Sequence, residues 1–184
     1  MNTSAEMYLA RRERLRALLR AHGLDALLVS HAANRFYLSG FELHDPQCNE
    51  SAGRLLITVD GQDWLCTDAR YLDAARRLWD ENRIFIYGGD AAGQLRSLLR
   101  EKAAGPIGVE ATAVSLELFR KMSPGLALRA ADGLVEELRS IKDAGEIAAM
   151  ERSCALNHRL MEWLPARLLP GRTERDISWD IEKF

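Results

Sequence analysis

Apolar positions in this chain alternate between helical stripes and short unbroken runs. Tyr8, Leu15, Leu18 and Leu19 can share one face of a helix from about Ser4 to His22. Thr3 and Glu6 have capping-box spacing at its start, and Gly23 stops it. The run Asp25-Ala26-Leu27-Leu28-Val29-Ser30 is too short and too apolar for a surface helix and predicts a buried strand. Residues 34–41 predict a short turn or helix ending at Gly40, and residues 42–53 a long polar loop. Arg54–Val59 and Gln62–Thr67 flank Asp60-Gly61, which predicts a hairpin with a two-residue turn. Asp68 is placed to cap a helix whose inner face is Tyr71, Ala74, Ala75 and Leu78.

Strands and helices then alternate. Ile84–Tyr87, Ile107–Glu110 and Leu126–Ala131 predict strands. Between them lie helices carrying Leu95, Leu98 and Leu99, then Leu116, Phe119 and Met122. The expected fold class is α/β: a mixed sheet of about six strands flanked by helices, partly parallel, with the hairpin as its antiparallel portion. From Leu134 the pattern becomes wholly helical. Asp143 and Glu146 repeat the capping-box spacing, and Thr173 with Asp176 caps a last helix carrying Ile177, Ile181 and Phe184. That stripe has no downstream element to pack on. It predicts a domain over 1–133 and a second, truncated helical one over 134–184, unless the stripe packs back on the first domain or on another copy.

Composition narrows the function. Hydrophobic residues make up 47% and charged residues 28%, which is globular rather than disordered. A net charge of −2 gives no electrostatic reason to bind nucleic acid or an anionic membrane. The first helix is rich in arginine (Arg11, Arg12, Arg14, Arg16, Arg20), but Glu6 and Glu13 interrupt it, and a solvated face is the expected reading. No apolar run is long enough to span a bilayer, and the start of the chain lacks the apolar segment of a secretory signal. Cys48, Cys66 and Cys154 match no zinc or redox spacing and read as reduced thiols of a cytoplasmic protein.

Candidate chemistry is sparse. No His-Glu-x-x-His, Gly-x-Ser-x-Gly or Walker segment occurs. Gly88-Gly89-Asp90-Ala91-Ala92-Gly93 lies where a phosphate loop could sit, but Asp90 would repel phosphate, so a turn with a helix cap is expected. His44, Asp45, Cys48 and Glu50 crowd one loop without the spacing of a metal site, and a substrate-facing loop fits them better. His22, His31 and His158 stand isolated and read as cap, core or surface residues. Arg70 could orient a partner group, or simply follow a cap beside a buried Tyr71.

Five segments, in order, resemble the Xaa-Pro aminopeptidase, prolidase and creatinase family. NRFYLSGF at 34–41 is similar to its Asn-x-x-Tyr-Leu-(Ser/Thr)-Gly-Phe segment, and TDARY at 67–71 to its Thr-Asp-x-Arg-Tyr segment. Ile107-Gly108-Val109-Glu110 resembles its Ile-Gly-x-Glu strand. LRSIKDAGEIAAM at 138–150 and LLPGRTERDI at 168–177 resemble the opening of its catalytic domain.

The resemblance implies a creatinase/prolidase N-terminal domain followed by the first helices of a pita-bread domain. It implies a full-length metallopeptidase cleaving Xaa-Pro bonds, with two divalent ions (Mn, Co or Zn) held by residues that all lie beyond Phe184. Catalytic and metal residues are therefore none in this chain, and the chain alone is expected to be inactive. A homodimer is implied, with the N-terminal domain closing over an active site that holds a proline-containing peptide. Phe41, His44, Arg54, Arg70 and Tyr71 are the expected substrate-proximal residues. A creatinase-type amidinohydrolase shares much of the pattern, with Glu42, Asp45 and Glu50 available to a guanidinium. A free-standing binding or dimerisation module is the non-enzymatic alternative.

Overall fold

The computed structural model describes residues 3–43 and 53–184. The loop histidine, cysteine and carboxylates (His44, Asp45, Cys48, Glu50) lie outside the described residues, as does the Thr3 side chain expected to form the first capping box. The chain divides into two compact units, Met1–Ser140 and Ile141–Phe184. Among the described residues no helix is long and apolar enough to cross a membrane.

In the first unit, α1 (Thr3–Ala21) leads to β1 (Ala26–Val29), α2 (Ala32–Ser39), β2 (Gly53–Thr58) and β3 (Trp64–Thr67). A 3-10 turn at Ala69–Tyr71 opens α3 (Leu72–Arg76). Then follow β4 (Ile84–Ile86), α4 (Ala91–Lys102), β5 (Ile107–Val109), α5 (Leu116–Met122), β6 (Leu128–Ala130) and α6 (Leu134–Ser140). The six strands form one sheet in the order β4-β3-β2-β1-β5-β6. β2 pairs antiparallel with both β1 and β3, while the β1–β5, β5–β6 and β3–β4 pairs are parallel. Only β2 runs against the rest. The carboxyl ends of five strands and the amino end of β2 therefore share one edge of the sheet.

Side-chain alternation along the strands supplies two cores. Leu27, Val29, Leu55, Ile57 and Leu65 pack on one face with Leu15 and Leu19 of α1, Tyr37 and Leu38 of α2, and Leu134 and Val135 of α6. Ala26, Leu28, Leu56, Cys66 and Val109 pack on the other with Leu95, Leu98 and Leu99 of α4 and Met122 of α5. Each fully buried leucine contributes about 1.5–3 kcal/mol. The mixed six-stranded sheet flanked by helices is the one the alternation predicts.

The departures have physical causes. Only part of the arginine face of α1 is solvated. Arg11 donates to the Tyr37 carbonyl at 3.1 Å, Arg12 to the Leu38 carbonyl at 2.9 Å, and Arg16 to the Thr58 carbonyl at 2.9 Å. Arg11 and Arg16 are buried. The hairpin turn is longer than two residues because Asp63 leaves the strand to meet Arg16 and to accept from the Thr58 amide at 3.2 Å. Gly61 still takes the expected positive φ, +84°. After Tyr71, Ala75 and Trp79 turn inward, whereas Ala74 and Leu78 are exposed. The first unit extends through α6 to Ser140 rather than ending at Gly133, since Leu134 and Val135 belong to its core.

The second unit contains α7 (Ala144–Trp163), a 3-10 turn at Pro165–Arg167 and α8 (Glu174–Lys183). Both expected capping boxes form, Asp143 with Glu146 and Thr173 with Asp176. Arg172 pairs with Asp180 at 2.6 Å, and the Trp163 and Phe184 rings lie 5.0 Å apart. No residue of this unit is buried. Leu168, Leu169, Pro170, Ile177 and Ile181 line an open apolar groove of about 640 Å³.

Of the two described cysteines, Cys66 is buried and Cys154 exposed. Burial pushes the Cys66 thiol up to about 12, so it holds almost no thiolate at neutral pH. Under native conditions a maleimide should label Cys154 and leave Cys66 unlabelled, as mapped by peptide mass spectrometry. Equal labelling of the two would mean that the second core opens readily.

Candidate functional site

The shared sheet edge collects the polar residues that the core cannot hold. Ser30 and His31 follow β1, Asp68 follows β3, Tyr87 follows β4 and Glu110 follows β5, while Gly53 and Arg54 open β2. Ligands of open α/β sheets bind at such carboxyl ends.

One half of this edge is a buried carboxylate junction. Glu110 accepts from the Ser30 and His31 amides at 2.6 Å each through Oε2, and from Asn34 Nδ2 at 2.7 Å through Oε1. The two amides mark the start of α2, where a negative charge is favoured. Asn34 Nδ2 also reaches Glu136 of α6 at 2.6 Å, and Arg139 donates to Asn34 Oδ1 at 2.7 Å. Burial raises the Glu110 carboxyl above its ordinary value, against the opposing pull of its three donors. Segments that read separately as motifs, around Asn34, Glu110 and Arg139, are thus one interlocking structure.

Gly40 ends α2 at φ +72°, and a Cβ there would meet the Tyr8 ring at 2.8 Å. Arg35, wholly buried, donates to the Gly53 carbonyl at 2.7 Å and to the Phe41 carbonyl at 3.3 Å. Through Arg35 the NRFYLSGF segment therefore holds the Phe41 carbonyl and the start of β2 together.

The other half holds an open cleft. Arg54 is 4% exposed and donates to the Tyr87 hydroxyl at 3.1 Å. Tyr87 is 6% exposed, and burial pushes its phenol up to about 12. Both line a cavity of about 230 Å³ closed by Asp90, Ala91 and Ala92 at the start of α4 and by Ser115, Glu117 and Lys121 around the start of α5. Arg70 lies outside it and exposed, donating to Asp68 through Nε and Nη2, the latter at 2.6 Å. That pairing holds Asp68 below the usual carboxylate range. The Arg70 guanidinium lies 5.4 Å from the centre of the Tyr71 ring.

The expected substrate-proximal residues are therefore distributed differently from one another. Arg54 and Tyr87 meet in the cleft, whereas Arg70 is exposed and Tyr71 is half-buried against the first core. Phe41 is packed into the first core at 1% exposure, where its ring faces other side chains rather than solvent. His44 lies outside the described residues. Tyr87, Asn34 and Glu110 were not among the expected site residues. The available signal was a polar residue directly after each buried apolar strand. Asp90 caps α4 through the Gly93 amide as expected, His22 bonds the Leu18 carbonyl, and His158 is exposed beside Glu162.

Among the described residues no three His, Cys, Asp or Glu side chains gather as a metal cage. Residues 11–141 match the family described as the creatinase/prolidase N-terminal domain. The chain is 23% identical over 175 residues to the uncharacterized peptidase YqhT of Bacillus subtilis, covering 94% of this chain and 47% of that protein. It superposes on an Xaa-Pro dipeptidase from Bacillus anthracis with a TM-score of 0.80 and 22% identity, over 93% of this chain and 46% of the other. The N-terminal domain of the cytoplasmic peptidase PepQ from Mycobacterium tuberculosis matches at 31% identity and a TM-score of 0.59, over 70% of this chain and 98% of that one. The chain thus spans about half the length of the curated relative it matches. With its strand order, its interlocked motifs and a family match over most of its length, it belongs to the creatinase/prolidase N-terminal domain family.

Proposed function

We propose that this chain is the N-terminal, non-catalytic part of a metal-dependent Xaa-Pro dipeptidase or aminopeptidase, serving dimerisation and closure over the active site. The observation that carries the reading is the match over nearly all of this chain to under half of an Xaa-Pro dipeptidase. The second unit supports it: two properly capped helices with no buried residue need a further surface to cover Ile177, Ile181 and Phe184. On this reading that surface is the remainder of a pita-bread domain. The two divalent ions belong to that remainder, and the residues of this chain are assigned no step through them.

The role left to this chain is presentation. Arg70 projects from a capped turn with its guanidinium held flat by Asp68, a geometry suited to a peptide carboxylate or carbonyl. Tyr71 anchors that turn on the first core. The test is to assay the full-length protein with Mn²⁺ on Xaa-Pro dipeptides and on creatine, alongside the 184-residue chain. Turnover of the dipeptides by the full-length protein alone supports the reading. Preference for creatine moves it to an amidinohydrolase, and cleavage by the short chain overturns the non-catalytic assignment.

Arg70→Ala in the full-length protein should raise KM for the dipeptide by about tenfold, the equivalent of losing one charge-assisted hydrogen bond. Its thermal midpoint should stay unchanged, because the Arg70 side chain is exposed. An unaltered KM removes Arg70 from the accessory set.

A further inference from the structure

The chain leaves the first unit through α6, and this helix is attached unevenly. Its two buried residues, Leu134 and Val135, both lie in its first turn. Beyond them Leu138 is only partly buried against the first core. The contacts that tie α6 to the carboxyl edge of the sheet are polar, and they converge on one side chain, Asn34. We propose that Asn34 is a latch: α6 opens and closes as a unit of its own while the sheet stays folded, and the Asn34 amide holds it shut. The proposal goes beyond the peptidase reading and does not depend on it, because every group involved belongs to the first unit.

The chemistry of the amide is the first observation. An asparagine side chain has two N–H donors and one carbonyl acceptor. Asn34 is wholly buried and uses all three on charged groups. Nδ2 donates to Glu110 Oε1 at 2.7 Å on the sheet side and to Glu136 Oε1 at 2.6 Å on the α6 side. Oδ1 accepts from Arg139 Nη1 at 2.7 Å. This is the one orientation the surroundings accept. With the amide flipped, its oxygen would face two carboxylates and its N–H groups a guanidinium. Glu136 and Arg139 are three residues apart and so share one face of α6. A single interior side chain therefore grips both ends of the same helical turn. Tyr37, one turn along α2 from Asn34, adds a longer bond from its hydroxyl to the Leu138 carbonyl at 3.4 Å.

The second observation is what opening leaves behind. If α6 swings out, Asn34 loses Glu136 and Arg139 to water but keeps Glu110. Glu110 in turn keeps the Ser30 and His31 amides. The junction between β1, α2 and β5 thus survives the release of α6. Segments with few buried apolar contacts and solvent-facing polar attachments open at a lower free energy than the strands beneath them. Past its first turn α6 has that character, whereas β1 and β5 are buried throughout. Glu136 is exposed although its partner is not, so its removal takes away the bond without leaving a cavity.

The test is hydrogen–deuterium exchange of the full-length protein, read by peptide mass spectrometry. In the wild type, peptides covering α6 should exchange ahead of those covering β1 and β5. Glu136→Ala should speed exchange in α6 by about tenfold or more, the equivalent of one hydrogen bond to a charged group, with β1 and β5 unchanged. Glu136→Gln keeps an oxygen for the Asn34 amide and should stay within about threefold of the wild type. Glu137→Ala removes the neighbouring first-turn carboxylate, with its favourable charge at the helix start, and should also stay within about threefold. Asn34→Ala should speed α6 at least as much as Glu136→Ala, and adding Glu136→Ala to it should change α6 no more than Glu137→Ala does. If Asn34→Ala fails to fold, the three glutamate variants still decide. Unaltered α6 exchange in Glu136→Ala would overturn the latch. Equal acceleration in Glu136→Gln or Glu137→Ala would replace it with a simple charge effect at the helix start. Acceleration shared by β1 and β5 would show that α6 does not open separately. None of these readouts involves peptidase activity, so their failure is distinct from failure of the proposed function.

Discussion

Asp63→Ala should be among the most destabilising single substitutions in this chain, costing about 3–5 kcal/mol. The carboxylate is 7% exposed and has three partners from two elements: Arg16 Nη2, Arg12 Nε at 3.1 Å, and the Thr58 amide at 3.2 Å. Removing it leaves Arg12 without its counter-charge, Arg16 with only the exposed Glu13 at 2.6 Å, and the Thr58 amide without this acceptor. Burial already lowers the Arg12 pKa, with Asp63 the main group opposing that shift, so loss of Asp63 strengthens the penalty. Domains of this size have only about 5–15 kcal/mol in total. In urea the midpoint should fall by at least about 1 M. Asp73→Ala, at an 89% exposed carboxylate, is the control and should leave the midpoint in place. A midpoint for Asp63→Ala no lower than that control would show that Arg12 and Arg16 find solvent or other acceptors at little cost.

The same residues show where sequence reading succeeds and where it stops. Strand identity was legible because burial on both faces produces unbroken apolar runs, as at Ala26–Val29 and Ile107–Val109. Helix ends were legible because capping is local: Asp68, Asp90, Ser115, Asp143 and Thr173 all accept from an amide two or three residues on. The role of α1 was not. Arg16 and Asp63 are 47 positions apart, and nothing in the spacing of Arg11, Arg12 and Arg16 marks them as buried anchors rather than solvated charges. The extent of the first unit was obscured for the same reason. A run of helix after Leu134 looks like a new domain until Leu134 and Val135 are seen against Leu15 and Leu19.

At the candidate site the split is similar. The resemblance drew attention to Phe41, Arg54, Arg70 and Tyr71, yet their surroundings differ because burial depends on partners far along the chain. Phe41 is enclosed by the first core, and Arg54 finds Tyr87, 33 residues away. Tyr87 was the last residue of an expected strand and carried no motif; in the folded chain it lies just past β4. Glu110 did carry one, in Ile-Gly-x-Glu, but its partners Ser30, His31 and Asn34 are about 80 residues upstream, so its function as a junction emerges only in the folded chain.

Glu110→Ala should therefore cost about 2–6 kcal/mol, because the Ser30 and His31 amides both lose their acceptor in a buried position at about 1–3 kcal/mol each. Asn34 retains Glu136 and Arg139, which limits the loss on that side. Glu110→Gln separates charge from hydrogen bonding. In the folded chain desolvation raises the Glu110 carboxyl above its ordinary value, and the neighbouring Glu136 charge acts in the same direction. The folded state consequently holds this proton more tightly than the unfolded state does. The stability linked to it is fully present below the unfolded value of about 4.3 and is lost as pH rises through the folded value. Glutamine cannot ionise and has no such dependence. The unfolding free energy of the wild type minus that of Glu110→Gln should fall as pH rises from about 4 and level off once the folded carboxyl has ionised. Urea unfolding of both proteins at matched pH values measures this difference directly. A difference that stays flat, or that rises with pH, would mean that the three donors outweigh burial and that the carboxylate is the favoured form at the centre of the fold.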